Sequence, residues 1–364
     1  TYYMDSDNYP DKLKFQAENA LKKVEKIMDQ IFGDVTNPLL VSVRSGARQS
    51  MPGMMETILN VGLTSKTIPG LIKKSGDDQF VYDSYRRLIT MFADVVMEKV
   101  AGIEPEDGQG IREKLDNIME AEKNKAGTKT NSELSANSLE QLCQKFKSEI
   151  KKSFGKDFPD DPHIQLWESI TAVFKSWNGK RAISYRNIEN IPHEWGTAVN
   201  IQAMVFGNMG DNCATGVAFT RNPSTGENNF YGEWLPNAQG EDVVAGLQTP
   251  NPLNNLNSSS NSKKFISLKD HMLEIYNELD GIQRQLEKHY KDMQDIEFTI
   301  QSGRLWMLQT RTGKRNGIAA VRMAIEMLDE KLIDEKTALQ RVKPEQLDEI
   351  MHPILDAKAE KKSK

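Results

Sequence analysis

The chain has 364 residues, more than one ordinary small core requires, so two or three subdomains are expected. Its net charge of −5 gives no overall attraction to nucleic acid or acidic lipid, so any anion it binds must be held locally. Cys143 and Cys213 are far apart and lack metal-ligand spacing, which excludes a disulfide framework or zinc site, and no apolar run reaches the roughly 18 residues of a membrane span. A cytoplasmic protein without a nucleic-acid or membrane partner is the expectation.

From the N-terminus, Leu13, Ala17, Leu21, Val24, Met28 and Ile31 recur at three- and four-residue steps, predicting an amphipathic helix that stops at Gly33 and packs on a sheet containing "PLLVSV". That β-rich run leads into Arg44, Gly46, Arg48, Ser50, Pro52 and Gly53, and a helix is expected to resume at Met54. Residues 70–155 are dominated by helical periodicity and read as an insert. "RAISYRNI", "TAVNIQAMVFGN" and "ATGVAFTRNPSTGENNFYGEW" read as a strand-rich lobe, residues 251–264 as a polar, mobile loop, and the end as two amphipathic helices with a solvated tail.

A glycine-bearing turn that opens a helix offers free N–H groups and a positive dipole end to anionic oxygens, and arginines add forks matching phosphate. No lysine follows the glycine as in GxxxxGK[ST], so pattern alone leaves Arg44 and Arg48 open between phosphate ligands and structural salt bridges. Met51, Met54 and Met55 read as packing.

Residues 292–315 form two alternating runs around "QSG", a β-hairpin pattern. A three-residue loop, Gln301–Gly303, with Gly303 left-handed in a bulge, would oppose Asp295 to Gln309 and Glu297 to Met307. It would turn Ile296, Phe298, Ile300, Trp306 and Leu308 to a core, leaving Asp295, Glu297, Gln309 and Arg311 on the other face. Two carboxylates beside an amide and a guanidinium suit magnesium with polyphosphate, while the pattern alone favours a solvated strand face with an Arg–carboxylate pair.

"LLVSVRSGARQSMPGMMETILNVGL", "FGNMGDNCATGVAFTRNPSTGE", "NAQGEDVVAG" and "DIEFTIQSGRLWMLQTRTGKR" together resemble the nucleotide-binding domain of the pyruvate phosphate dikinase family, from about residue 35 to 355. The resemblance implies an α/β ATP-grasp fold, two lobes around a nucleotide cleft with a helical insert. It divides the chain into 1–66 (part of the first lobe), 67–155 (insert), 156–200 (rest of the first lobe), 201–315 (second lobe) and 316–364 (helical linker). It further implies that Arg44 and Arg87 contact the triphosphate and that the loop Ser50, Met51, Gly53 and Met54 covers it. Adenine would lie against Gln202, Met204 and Val205. Asp295 and Glu297 would hold Mg²⁺, with Gln309 and Arg311 on the phosphates. Arg221, Asn222 and Glu241 would border the site.

The family converts ATP, inorganic phosphate and pyruvate into AMP, diphosphate and phosphoenolpyruvate through a phosphohistidine on another domain. None of His163, His193, His271, His289 or His352 lies in that histidine's Thr-Ser-His context, and no Gly-Gly-Lys-Gly segment is present. The resemblance therefore implies a piece of a longer, homodimeric enzyme cut at both ends, beginning at Thr1, with its phosphohistidine and pyruvate-binding domains elsewhere. Two alternatives stay open: a non-catalytic ATP-binding or regulatory module, and a fragment of a water-using dikinase of the phosphoenolpyruvate synthase type.

Overall fold

The structure is a computed structural model, described for residues 8–106, 108–244, 249–255 and 265–352, with backbone only at Ser132, Glu241 and Val244. Most of the expected polar loop, the side chain of Glu241 and the tail "AEKKSK" lie outside the described residues. The chain divides into two compact units, Thr1–Met204 and Val205–Lys364.

The first unit opens with α1 (Leu13–Met28), which stops earlier than the periodicity predicts. Asp29 takes the left-handed conformation at φ 52° and its N–H caps Glu25 O, so Ile31 leaves the helix and Gly33 is not its stop. Ile31–Phe32 (β1) instead pairs in parallel with Pro38–Leu39 (β2). Next come β3 (Val41–Ala47) and β4 (Thr57–Val61), an antiparallel pair. The helix expected from Met54 is absent: β-branched Thr57, Ile58 and Val61 find a partner in β3, and this pairing overrides the short helical pattern. Between the strands, Met54 N–H donates to Met51 O across a turn cornered by Pro52 and Gly53, the latter at φ 70°.

Helices α2 (Ile68–Ser75) and α3 (Asp78–Phe92) follow, and α3 runs without a break into a π-helical stretch, Ala93–Lys99. The insert continues as α4 (Ile111–Ala126) and α5 (Ala136–Phe154), and α6 (Pro162–Ser176) runs against the sheet. "RAISYRNI" is helical, α7 (Lys180–Ile188), not a strand; Ile188 is left exposed and only Ala182 and Arg186 are buried. The unit closes on β5 (Thr197–Ala203), giving sheet order β4–β3–β5.

The second unit contains β6 (Ala214–Phe219), β7 (Tyr231–Pro236), α8 (Gly240–Val244), β8 (Asn251–Pro252), α9 (Leu268–His271), α10 (Leu273–Tyr290), β9 (Gln294–Gln301) and β10 (Arg304–Thr312). Its antiparallel sheet has the order β10–β9–β6–β7–β8, with β9 internal. Ile296, Phe298 and Ile300 are fully buried in a core shared with Leu279 and Tyr276 of α10. Each such side chain contributes about 1.5–3 kcal/mol by burial, so alternate residues of β9 are held in place by their neighbours. Three helices, not two, end the described chain: α11 (Gly317–Asp329), α12 (Glu335–Arg341) and α13 (Pro344–Met351). Asp334 caps α12 by accepting from Thr337 N–H at 2.8 Å, which starts a new helix where the periodicity reads as continuous.

Candidate functional site

In the first unit, Arg44 lies within β3 and not on a loop before a helix, so the dipole argument for it falls away. Arg44 stands opposite Thr57 of β4 and Asn200 of β5, and Ser42 opposite Gln202. Directly paired residues share a face, so Arg44, Thr57, Asn200 and Gln202 line one side of this sheet while Val41, Val43 and Ile58 are buried on the other.

Met204 N–H donates to Leu40 O at 2.9 Å, continuing this register. That makes Ser42–Gln202 a hydrogen-bonded pair, and the backbone of Gln202 and Met204 is committed to β3. The backbone groups of Ile201 and Ala203 are those directed to the sheet edge, a distinction the sequence left unresolved. Val205 begins the second unit.

The segment 48–56 is anchored from several sides. Met51 is buried with Trp177, Ala182 and Ile191, against which Met54 and Met55 pack, as their type predicted. Arg48 stacks on Trp195, 4.9 Å from ring centre, which gives it a structural partner. Ser50 is half-buried and Gly53 exposed. On α3, Arg87 Nε donates to Asp83 Oδ2 at 2.8 Å, and Arg86 grips Asp83 Oδ1 through two nitrogens at 2.9 and 2.7 Å. Burial pushes the Asp83 carboxyl up, but the two guanidiniums outweigh it and hold it below the ordinary aspartate value.

In the second unit the hairpin differs in register from the expected one. Arg304 pairs with Gln301, so the tip is the two-residue turn Ser302–Gly303, with φ of 51° and 73°. In that register Leu305 and Met307, not Trp306 and Leu308, turn to the core; Trp306 stays half-buried with Arg304 4.3 Å above its ring. Leu308 is then an extra residue, a bulge, and beyond it Gln309 opposes Glu297 and Arg311 opposes Asp295. Asp295, Glu297, Gln309 and Arg311 therefore do share one face, by a route the sequence did not predict.

Arg311 Nε donates to Asp295 Oδ2 at 2.7 Å, and its Nη2 lies 3.4 Å from Glu297 Oε1. Burial raises the Asp295 carboxyl above its usual value, with Glu297 adding to this and Arg311 opposing it. The face thus holds two carboxylates drawn together by one guanidinium, an arrangement that can accept a hard cation and bind an anionic oxygen.

Arg221 belongs to the scaffold. Its side chain is fully buried and reaches Glu287 at 2.9 Å, Glu326 at 3.4 Å and Glu330 at 2.5 Å, joining the end of β6 to α10 and α11. Asn222 Oδ1 accepts from the N–H groups of Ser224 and Thr225 and shapes the turn.

The family described as "Pyruvate phosphate dikinase, AMP/ATP-binding domain" matches residues 8–274 and 253–332. The chain is 47% identical to a pyruvate, phosphate dikinase of Rhizobium meliloti over 99% of its own length and 39% of the relative's. It is 45% identical to that of Clostridium symbiosum over 98% and 38%, and 49% identical to a chloroplastic one of Mesembryanthemum crystallinum over 92% and 33%. It thus spans less than two fifths of these relatives' length. With its mixed sheets and helices it has the ATP-grasp type of fold, and it belongs to the pyruvate phosphate dikinase AMP/ATP-binding family.

Proposed function

We propose that the chain is the nucleotide-binding part of a cytoplasmic pyruvate phosphate dikinase, a phosphotransferase that takes ATP, inorganic phosphate and pyruvate to AMP, diphosphate and phosphoenolpyruvate. In this part of the reaction, a histidine on another domain takes a diphosphoryl group from ATP and AMP leaves. Inorganic phosphate then accepts the terminal phosphoryl group, leaving as diphosphate, and the phosphohistidine goes on to serve pyruvate. The observation that carries the reading is the shared face of Asp295, Glu297, Gln309 and Arg311, on a strand fixed by its buried neighbours.

Magnesium commonly takes one or two carboxylates and fills its shell with phosphate oxygens and water. Among the described residues no cluster of three or more His, Cys, Asp or Glu side chains forms a cage. Asp295 and Glu297, with the Gln309 amide beside them, fit a cation shared with nucleotide phosphates. Arg311 can also neutralise phosphoryl oxygens. No side chain here needs to act as a nucleophile; the work is positioning and charge neutralisation.

Calorimetric titration with ATP, with and without Mg²⁺, tests the binding. Diphosphate-forming exchange with the phosphohistidine domain present tests the transfer. Saturable, magnesium-dependent ATP binding is expected; its absence would overturn the reading. The water-dikinase alternative is disfavoured by the naming of the relatives, and a requirement for inorganic phosphate in the full-length reaction separates the two.

A further inference from the structure

The π-helical stretch Ala93–Lys99 forms the C-terminal end of the helix that begins as α3, and its wider bonds are present: Val100 N–H donates to Val95 O and Ile103 N–H to Glu98 O, each at 3.1 Å. Widening the turn to i→i+5 brings residues five apart onto one face, where α-helical spacing would separate them. Asp94 and Lys99 are such a pair. Lys99 Nζ lies 2.9 Å from Asp94 Oδ2 and, in the same fork, 3.3 Å from Glu56 Oε1.

Glu56 is the last residue of the 48–56 segment before β4. Its Oε1 also accepts from Arg181 of α7 at 2.9 Å, and its backbone N–H donates to Ser176 Oγ of α6 at 3.3 Å. Asp94, only 5% exposed, also accepts from Arg112 Nε of α4 at 3.1 Å, on the same Oδ2 that meets Lys99. A continuous chain, Arg112–Asp94–Lys99–Glu56–Arg181, therefore ties the helical insert and α7 to the end of this segment, while the exposed Pro52–Gly53 corner is left to meet a ligand.

We propose that Glu56 and Lys99 are positioning residues for polyphosphate binding: the π-helical register aligns Lys99 with Glu56 and so presets the 48–56 segment over the β- and γ-phosphates of ATP. This rests on the nucleotide-binding reading above. Isolated exposed ion pairs contribute little, and Lys99 is 44% exposed; the effect comes from pinning a segment whose other anchors are the methionine cluster and the Arg48–Trp195 stack. Pre-setting a loop removes an ordering cost from binding, and only a ligand the loop touches gains by it.

The test is calorimetric titration of Mg-ATP and of AMP into the wild-type chain and into Glu56→Gln, Lys99→Met, Lys99→Arg and the Glu56→Gln/Lys99→Met double variant. Thermal unfolding of each is followed alongside. Expected are about tenfold weaker Mg-ATP binding in Glu56→Gln and Lys99→Met, AMP affinity unchanged, a double variant no weaker than the worse single, and recovery in Lys99→Arg. Wild-type Mg-ATP affinity in Glu56→Gln, or equal losses for ATP and AMP tracking a lower unfolding temperature, would overturn the proposal while leaving the binding reading intact. A wild-type chain that takes up no Mg-ATP would remove that reading, and the proposal with it.

Discussion

Glu297 stands opposite Gln309 because Leu308 is an extra residue in β10. Under the unbulged register of the hairpin tip, Glu297 would face Leu308 and the amide would fall on the core side. The bulge reverses the alternation halfway along the strand, so an apolar tip can be followed by a polar base on the opposite face. Since β9 is fixed by the buried side chains on either side of Glu297, and its contact to Arg311 is 3.4 Å long, Glu297→Gln should leave the fold in place, with the unfolding temperature within about 2 °C. Magnesium-dependent ATP binding should fall at least tenfold. An unchanged Mg-ATP titration would remove Glu297 from the site.

Arg311 bridges Asp295 and Glu297 from one planar group. Lysine supplies the charge but not the fork, so Arg311→Lys can satisfy one carboxylate at a time. About a tenfold loss of ATP affinity is expected, together with a rise in the Asp295 carboxyl, because the guanidinium that opposes burial and Glu297 is then weaker. An NMR titration of the Asp295 carboxyl reads the second effect, and a value unchanged from wild type would show that Arg311 does not control it.

The parts of this fold that were legible in the sequence are those where one local pattern decides the outcome. Alternation in "DIEFTI" put Ile296, Phe298 and Ile300 inward and the two acids outward, and the structure agrees because β9 is internal and these three side chains pack into one apolar core. The bulge at Leu308 was not legible, since a face-sorting argument assumes one register and the switch is chosen by pairing at both ends of the hairpin. "METILN" fits either period over so few residues, and its partner β3 decided for strand. The π-helical turn leaves no periodic signature in seven residues; Asp94 and Lys99 look like ordinary surface charges until the wider turn brings them together.

Gly216 of β6 faces Phe298. A methyl group added there would lie 2.5 Å from Phe298 Cζ and 2.6 Å from Glu233 O, so ring and strand could not both stay where they are. Gly216→Ala should destabilise the second unit by about 1–3 kcal/mol, the usual cost of overpacking, and disturb Glu297 through its neighbour. Urea unfolding measures the first effect and Mg-ATP titration the second. Full stability in the variant would mean that β6 and β9 can separate freely, contrary to the packing described.

Asp83 supplies the pH-dependent contribution that can be signed most directly. Its folded carboxyl sits below the ordinary aspartate value because Arg86 and Arg87 together outweigh burial. The folded state therefore binds the proton less tightly than the unfolded chain. The resulting stability is present above about pH 4, the ordinary aspartate value, and is lost as pH falls through the lower folded value. The three side chains are 10–18% exposed, so the pair is partly screened, and Asp83→Asn should cost about 2 kcal/mol at pH 7. The same substitution should cost less at pH 3, below the ordinary aspartate value, where the unfolded wild-type chain takes up the proton and the charge-dependent part of the stability shrinks. Urea unfolding of both proteins at the two pH values checks this, and a penalty of equal size at pH 3 and pH 7 would show that Asp83 acts through shape and not through charge.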